Sequence, residues 1–165
     1  MISMYFVSCS ISLKNEKKDV WKAISSPGNL NFFHPFCKNN EVIEVDENSI
    51  KKDFLIYLNG MMFEREFYQW EKMKGYKLMI GKKNGKKSKV IWKISENKNY
   101  TTLCIKVFPY KTDKINSLLY PFFFFFYIKP KLKSYLKSVL NGLKFYLYNN
   151  QTVVKNQFGK HSWFS

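Results

Sequence analysis

Arginine and alanine are almost missing from this chain, and acidic residues, cysteine and histidine are scarce. Arg65 is the only arginine among 28 basic residues, so the cationic surface is built from lysine. The planar guanidinium fork reads phosphates and base edges in a way that the compact lysine ammonium does not, which argues against sequence-specific nucleic-acid recognition. Only 12 residues are Asp or Glu, leaving a formal net charge of +16. Ala23 is the single alanine while Lys, Asn, Phe, Tyr and Ile abound, a mixture that AT-rich codons produce; attraction to anionic partners is the functional alternative. Cys9, Cys37 and Cys104 are odd in number, far apart and without a CxxC pair, which excludes a disulfide or zinc framework. They read as buried small hydrophobes in a reducing compartment. Residues 1–13 lack a basic n-region and carry Ser8, Ser10 and Ser12, so no signal peptide is expected and the expected location is cytoplasmic. No apolar run approaches the roughly 20 residues that cross a bilayer. His34 and His161 complete no metal set, and Gly-rich phosphate loops, GxSxG and HExxH are absent, so no metal or cofactor is expected.

What is present is a folded domain's worth of apolar surface: 165 residues, 45% hydrophobic and 19% aromatic. Tyr5, Val7, Cys9, Ile11 and Leu13 alternate with serines, the period of a half-buried strand. Asn15 is placed to cap a short helix carrying Val20, Trp21 and Ile24, and Ser26-Pro27 to open a second one ending near Phe33. Strands are then expected over 41–46, 50–58, 61–72, 76–80, 88–95 and 100–108. Asn59-Gly60 is the strongest hairpin signal, of the kind favouring a type I′ turn. A meander joined by such short turns is antiparallel. From Pro130, Leu132, Tyr135, Leu136, Val139, Leu140, Leu143, Tyr146 and Leu147 recur at helical spacing, ending at Asn149-Asn150.

Strand, two short helices, six-strand meander and long closing helix is an uncommon order. With Val20-Trp21 in the first helix, the stretch from Ser26-Pro27 to His34-Pro35, and Leu143-Lys144 in the last helix, it resembles the START-like (Bet v 1-like, polyketide cyclase/dehydrase and lipid transport) superfamily over roughly residues 3–149. The resemblance implies an α+β helix-grip fold, a curved antiparallel sheet wrapped around the C-terminal helix with a cavity between them. It transfers no catalytic residue, because the superfamily shares none. The domain is expected over 1–150, with 151–165 docking back on it because Val153, Val154, Phe158, Trp163 and Phe164 are too apolar for a free end.

The expected partner is therefore an apolar or amphipathic small molecule. Candidate ligand contacts are Tyr57, Glu64, Arg65, Glu66 and Tyr68 on the early strands, Trp92 and Phe108 on the later ones, and Tyr135 and Val139 on the helix. Alternation puts Glu64 and Glu66 on one face with Met62, Tyr68 and Trp70, and Arg65 on the other with Phe63 and Phe67. Whichever face is interior holds a charge that needs a partner. The enzymatic alternative is a cyclase with Glu64 or Glu66 as general base and Arg65 or Tyr57 steadying negative charge. His34 and Cys37 would act as a nucleophile pair only within hydrogen-bond reach of each other. Phe122 to Phe126 is core, a lip over the cavity, or a patch touching an anionic membrane, the last suited by Lys111, Lys114, Lys129, Lys131 and Lys133.

Overall fold

The computed structural model describes residues 5–165; residues 1–4 of the expected domain lie outside the described residues. The chain forms β1 (Val7–Leu13), α1 (Lys17–Ser25), α2 (Leu30–Phe33), six strands β2 (Cys37–Asp46), β3 (Ser49–Tyr57), β4 (Met62–Glu71), β5 (Gly75–Gly81), β6 (Lys87–Glu96) and β7 (Thr101–Phe108), then a helical run of α3 (Tyr120–Phe123), a π-helical turn (Phe124–Ile128) and α4 (Lys129–Asn149). The strands make one fully antiparallel sheet in the order β1-β7-β6-β5-β4-β3-β2. Burial alternates most cleanly in β7, where Thr101, Leu103, Ile105 and Val107 are buried while their neighbours are half exposed. The sheet grips α4, which buries Leu132, Leu136, Val139, Leu140 and Leu143. This is an α+β helix-grip domain.

Local chemistry explains where the elements depart from the sequence expectations. Ser26 closes α1 instead of opening α2: its amide and its hydroxyl both donate to the Lys22 carbonyl, and Gly28 at φ +67° turns the chain before Leu30. Glu16, not Asn15, occupies the N-cap of α1. The Asn59-Gly60 loop is not type I′, because Gly60 alone takes a positive φ, 86°. Its amide donates to the Tyr57 carbonyl, the arrangement of a turn closed by a glycine bulge. The helical run begins ten residues before Pro130. Proline cannot donate to the preceding turn and its ring crowds that carbonyl, and the π-helical turn immediately before Lys129 absorbs the defect without breaking the rod.

Two features hold the helices close. Gly142 passes over α2 so tightly that a Cβ there would stand 2.0 Å from the Phe33 carbonyl oxygen. The segment after Asn150 also lies on the domain: the Val153 amide donates to Phe32 O, the Asn156 amide to Pro35 O, and Asn59 Nδ2 to Trp163 O. Val153 and Phe164 are buried, whereas Val154 and Phe158 face solvent.

Gly142→Ala should therefore lose about 3 kcal/mol in urea denaturation, since backbone and not a flexible tip must yield. Truncation after Asn150 should lose a similar amount, about 3 kcal/mol, by uncovering the surfaces that Val153, Trp163 and Phe164 cover. An unchanged denaturation midpoint in the truncated chain would show the segment to be energetically idle.

Candidate functional site

Between the concave face of the sheet and the inner side of the helical run lies a cavity of about 500 Å³. Leu78, Val90 and Ile105 line it from the strands, and Leu132, Leu136 and Val139 from α4. Trp163 and Phe164 complete the wall from the C-terminal segment, with Phe164 stacked 4.3 Å from Tyr57. The exposed members of the lining, Tyr110 and Tyr127, mark where the space meets solvent. Beyond it the interior is filled by rings: Trp70 stacks on Tyr76 at 5.1 Å, Tyr76 on Trp92 at 5.6 Å, and Trp21 meets Trp70 edge-on.

One polar cluster interrupts the apolar lining. Asp53 and Arg65 are directly opposite in the β3–β4 register, both buried. Arg65 donates from Nε to Asp53 Oδ1 at 2.7 Å and from Nη2 to Oδ2, a bidentate pair. Burial opposes the guanidinium's charge, but the carboxylate outweighs it and raises the pKa above its ordinary value. Beside the pair, Tyr135 Oη lies 2.8 Å from His34 Nε2 and 3.1 Å from Tyr57 Oη. The Phe36 amide donates to His34 Nδ1, so the neutral ring carries its proton on Nε2 and donates it to Tyr135. Burial, and then the charge of Arg65, bring the His34 pKa down to about 3. Burial likewise pushes Tyr135 up to about 12 and Tyr57 well above its usual range. The cluster is thus neutral overall at pH 7, with the phenols protonated.

It is also rich in unspent donors. His34, Tyr135 and Tyr57 bring three N–H or O–H protons to two hydrogen bonds, so one hydroxyl proton is left over. Of the five N–H donors of a guanidinium, Asp53 takes two.

Of the sequence candidates, Tyr57, Arg65, Trp92, Tyr135 and Val139 line the cavity. Glu64, Glu66, Tyr68 and Phe108 do not, and here the expectation needs correction. Alternation on β4 sends Arg65 inward, and with it Glu64 and Glu66 outward among lysines. Lys87 Nζ is 2.6 Å from Glu66 and 3.6 Å from Glu64, and Lys52 lies within 4 Å of both. The hydrogen bond from Lys87 holds the Glu66 carboxyl below its ordinary value. Tyr68 is about half exposed, and Phe108 meets Phe6 and the ammonium of Lys106. Trp70, expected to share the Glu64 face, turns inward because a bulge between Phe67 and Gln69 shifts the alternation. Cys37 and His34 do not pair: the thiol contacts Asn31 Oδ1 at 3.6 Å, and burial raises it to about 12. No group of three metal-ligating side chains occurs among the described residues, nor is any helix there long and apolar enough to cross a membrane.

The sequence reading missed Asp53 and the role of His34. Asp53 keeps step with Leu55 and Tyr57 on the buried face of β3, so an acid in phase with apolar residues was the signal.

No family model matches the sequence, and no curated protein is similar to it. Solved structures do match in shape. A START superfamily protein from Mycobacterium smegmatis superposes with TM-score 0.68 at 11% identity, over 89% of this chain and 99% of that one. The Aha1 dimer from Colwellia psychrerythraea gives 0.62 at 10%, over 87% and 96%. DynU16, from the dynemicin biosynthetic locus, gives 0.65 at 14% over 92% of this chain, which spans only 51% of DynU16. Identities this low carry the fold alone, and the fold is START-like.

The neutral His34 gives stability a pH dependence. Its folded pKa lies below its unfolded one, so the unfolded chain takes up more protons between pH 6.5 and about 3. Stability is therefore intact above pH 6.5 and falls as the pH drops through that window, by about 2 kcal/mol at pH 5. His161, also lowered by burial, acts in the same direction. His34→Gln should flatten most of the slope between pH 7 and 5 in urea titrations; an unaltered slope would mean that His34 is not the group responsible.

Proposed function

We propose that this protein binds, and passes on, an apolar or amphipathic small molecule held in the cavity, whose one polar group is a neutral hydrogen-bond acceptor. The carrying observation is the 500 Å³ space walled mostly by aliphatic and aromatic side chains, with one buried polar cluster and, apart from it, the hydroxyls of Ser88 and Thr112. A ligand burying about 200 Å² of apolar surface there would gain roughly 5 kcal/mol before the costs of association. The START-like fold supports the reading at the level of architecture.

The cluster narrows the ligand class. Arg65 is already neutralised by Asp53, and His34 is uncharged. A carboxylate entering the space would bring a net charge into a low-dielectric interior with no free counter-charge to meet it. A carbonyl or ether oxygen meets only donors in surplus. The cyclase alternative has lost its named base, because Glu64 and Glu66 stand outside the cavity on the lysine-covered face.

Nile red, an uncharged fluorophore with a carbonyl, should bind with one-to-one stoichiometry. Val139→Trp, which puts an indole into the space, should abolish that binding while leaving the circular dichroism spectrum intact. Tyr57→Phe should weaken it by roughly three- to tenfold, the scale of one hydrogen bond. A long-chain methyl ester should displace the dye at concentrations about tenfold or more below those of the matching carboxylate at pH 7. Binding untouched by Val139→Trp would place the dye elsewhere and end this proposal; stronger displacement by the carboxylate would end the neutral-acceptor part alone.

A further inference from the structure

The helical run ahead of α4 leaves an apolar surface bare. Leu118 is 80% exposed, Leu119 58%, Phe122 65%, Phe125 52% and Phe126 80%. Consecutive phenylalanines point all around a helix, and only part of the circle is taken: Tyr120 and Phe124 are buried, and Phe123 faces the cavity. Neither Phe122 nor Phe126 has a ring partner among the described contacts. A cluster of this kind on one short segment is larger than single chains ordinarily leave to water.

The charges around it have one sign. The last acidic residue of the chain is Asp113, already paired with Lys86; from Lys114 to Ser165 there are eight lysines and no acid. One cation lies directly on the exposed aromatic surface, Lys129 Nζ at 5.2 Å from the Phe125 ring, and Lys111 Nζ stands 5.3 Å from the ring of the buried Tyr120. Lysines there can cover apolar surface with their stems and raise the ammonium to a plane of phosphates.

We infer that this patch docks the protein on an anionic lipid bilayer. The phenylalanine and leucine side chains enter the headgroup boundary to a depth of about 5–10 Å while Lys111, Lys114, Lys129 and Lys133 meet the anionic lipids. The segment lies on the surface and does not cross it. A fluid bilayer suits five apolar side chains that offer no hydrogen bond to fix a partner's register. The placement is also continuous with the cavity, because Phe123, Tyr127 and Ile128 of the same turns line it. An apolar molecule leaving past Tyr127 would reach lipid without crossing bulk water. Docking itself does not depend on what the cavity holds.

The test is sedimentation of the full chain with vesicles of phosphatidylcholine alone or mixed with phosphatidylserine at about two to one. The chain should pellet with the mixed vesicles at least tenfold more strongly than with the neutral ones, and less as salt rises. Phe122→Ser with Phe126→Ser should reduce pelleting by roughly tenfold or more, because both side chains are exposed and their loss leaves the core alone. Lys129→Glu with Lys133→Glu should reduce it independently, by about fivefold per lysine or more. No pelleting with the mixed vesicles, or equal pelleting of the Phe122→Ser/Phe126→Ser protein, would overturn the inference. So would a wild-type dimer in analytical ultracentrifugation that those serines dissociate, since a second copy would then be the patch's occupant.

Discussion

Arg65 and Asp53 face each other across β3 and β4 with side chains 4% and 0% exposed, and neither could remain there without the other. Removing one partner of a buried pair strands a charge at a cost of about 3–5 kcal/mol, whereas the intact pair is close to neutral in stability. Its main consequence is electrostatic. The guanidinium helps keep His34 unprotonated, and the carboxylate prevents it from becoming an unscreened anion trap. The tyrosine hydroxyls next to it stay protonated because burial disfavours the phenolate. The cavity's polar end is thus an uncharged cluster of donors built around two full charges that cancel.

The space itself follows from where the sheet and helix are forced together and where they are not. Gly142 against the Phe33 carbonyl fixes α4 close to α2, and the stack of Trp70, Tyr76 and Trp92 fills the ground under α1. Where α4 runs back toward its N-terminal turns, the strand rings Tyr57, Phe63 and Trp92 line the space but do not fill it. Leu78, Val90 and Ile105 are too short to reach Leu132 and Leu136 across the gap. Trp163 and Phe164 fill part of it from the far end of the chain, which makes the C-terminal segment a wall of the cavity as well as a cover for the core.

Much of this was legible in the sequence, wherever one strand or one helix decides its own outcome. Spacing gave the stripe from Leu132 to Leu147 and the turn-punctuated antiparallel strands, the START-like resemblance implied that they form a helix grip, and β4's alternation gave the opposition of Arg65 to Glu64 and Glu66. What alternation could not supply was the sign, that is, which face is inside. That depends on Asp53, twelve residues away, which makes the inward arginine tolerable. Trp70 was misplaced for a related reason: one extra residue at a bulge inverts every later side chain, and no local signal marks Tyr68 as that residue. His34 was weighed beside its sequence neighbour Cys37, while its actual partner, Tyr135, comes from the other end of the fold.

The net charge of +16 has a distribution that codon usage alone does not explain. AT-rich codons can multiply lysines anywhere, and on the outer face of the sheet they have done so harmlessly, with Lys52 and Lys87 neutralising Glu64 and Glu66. The same bias gives no reason for all 12 acids to precede Lys114. Over the final helical run and the segment after it the lysines have no carboxylate to pair with, and mutual repulsion across a protein surface costs stability. That one-signed stretch carries the bare phenylalanines. Apolar exposure and unpaired cations are each unfavourable in water and both favourable at an anionic interface, and their coincidence on this stretch of chain is what supports the inferred docking on anionic lipid.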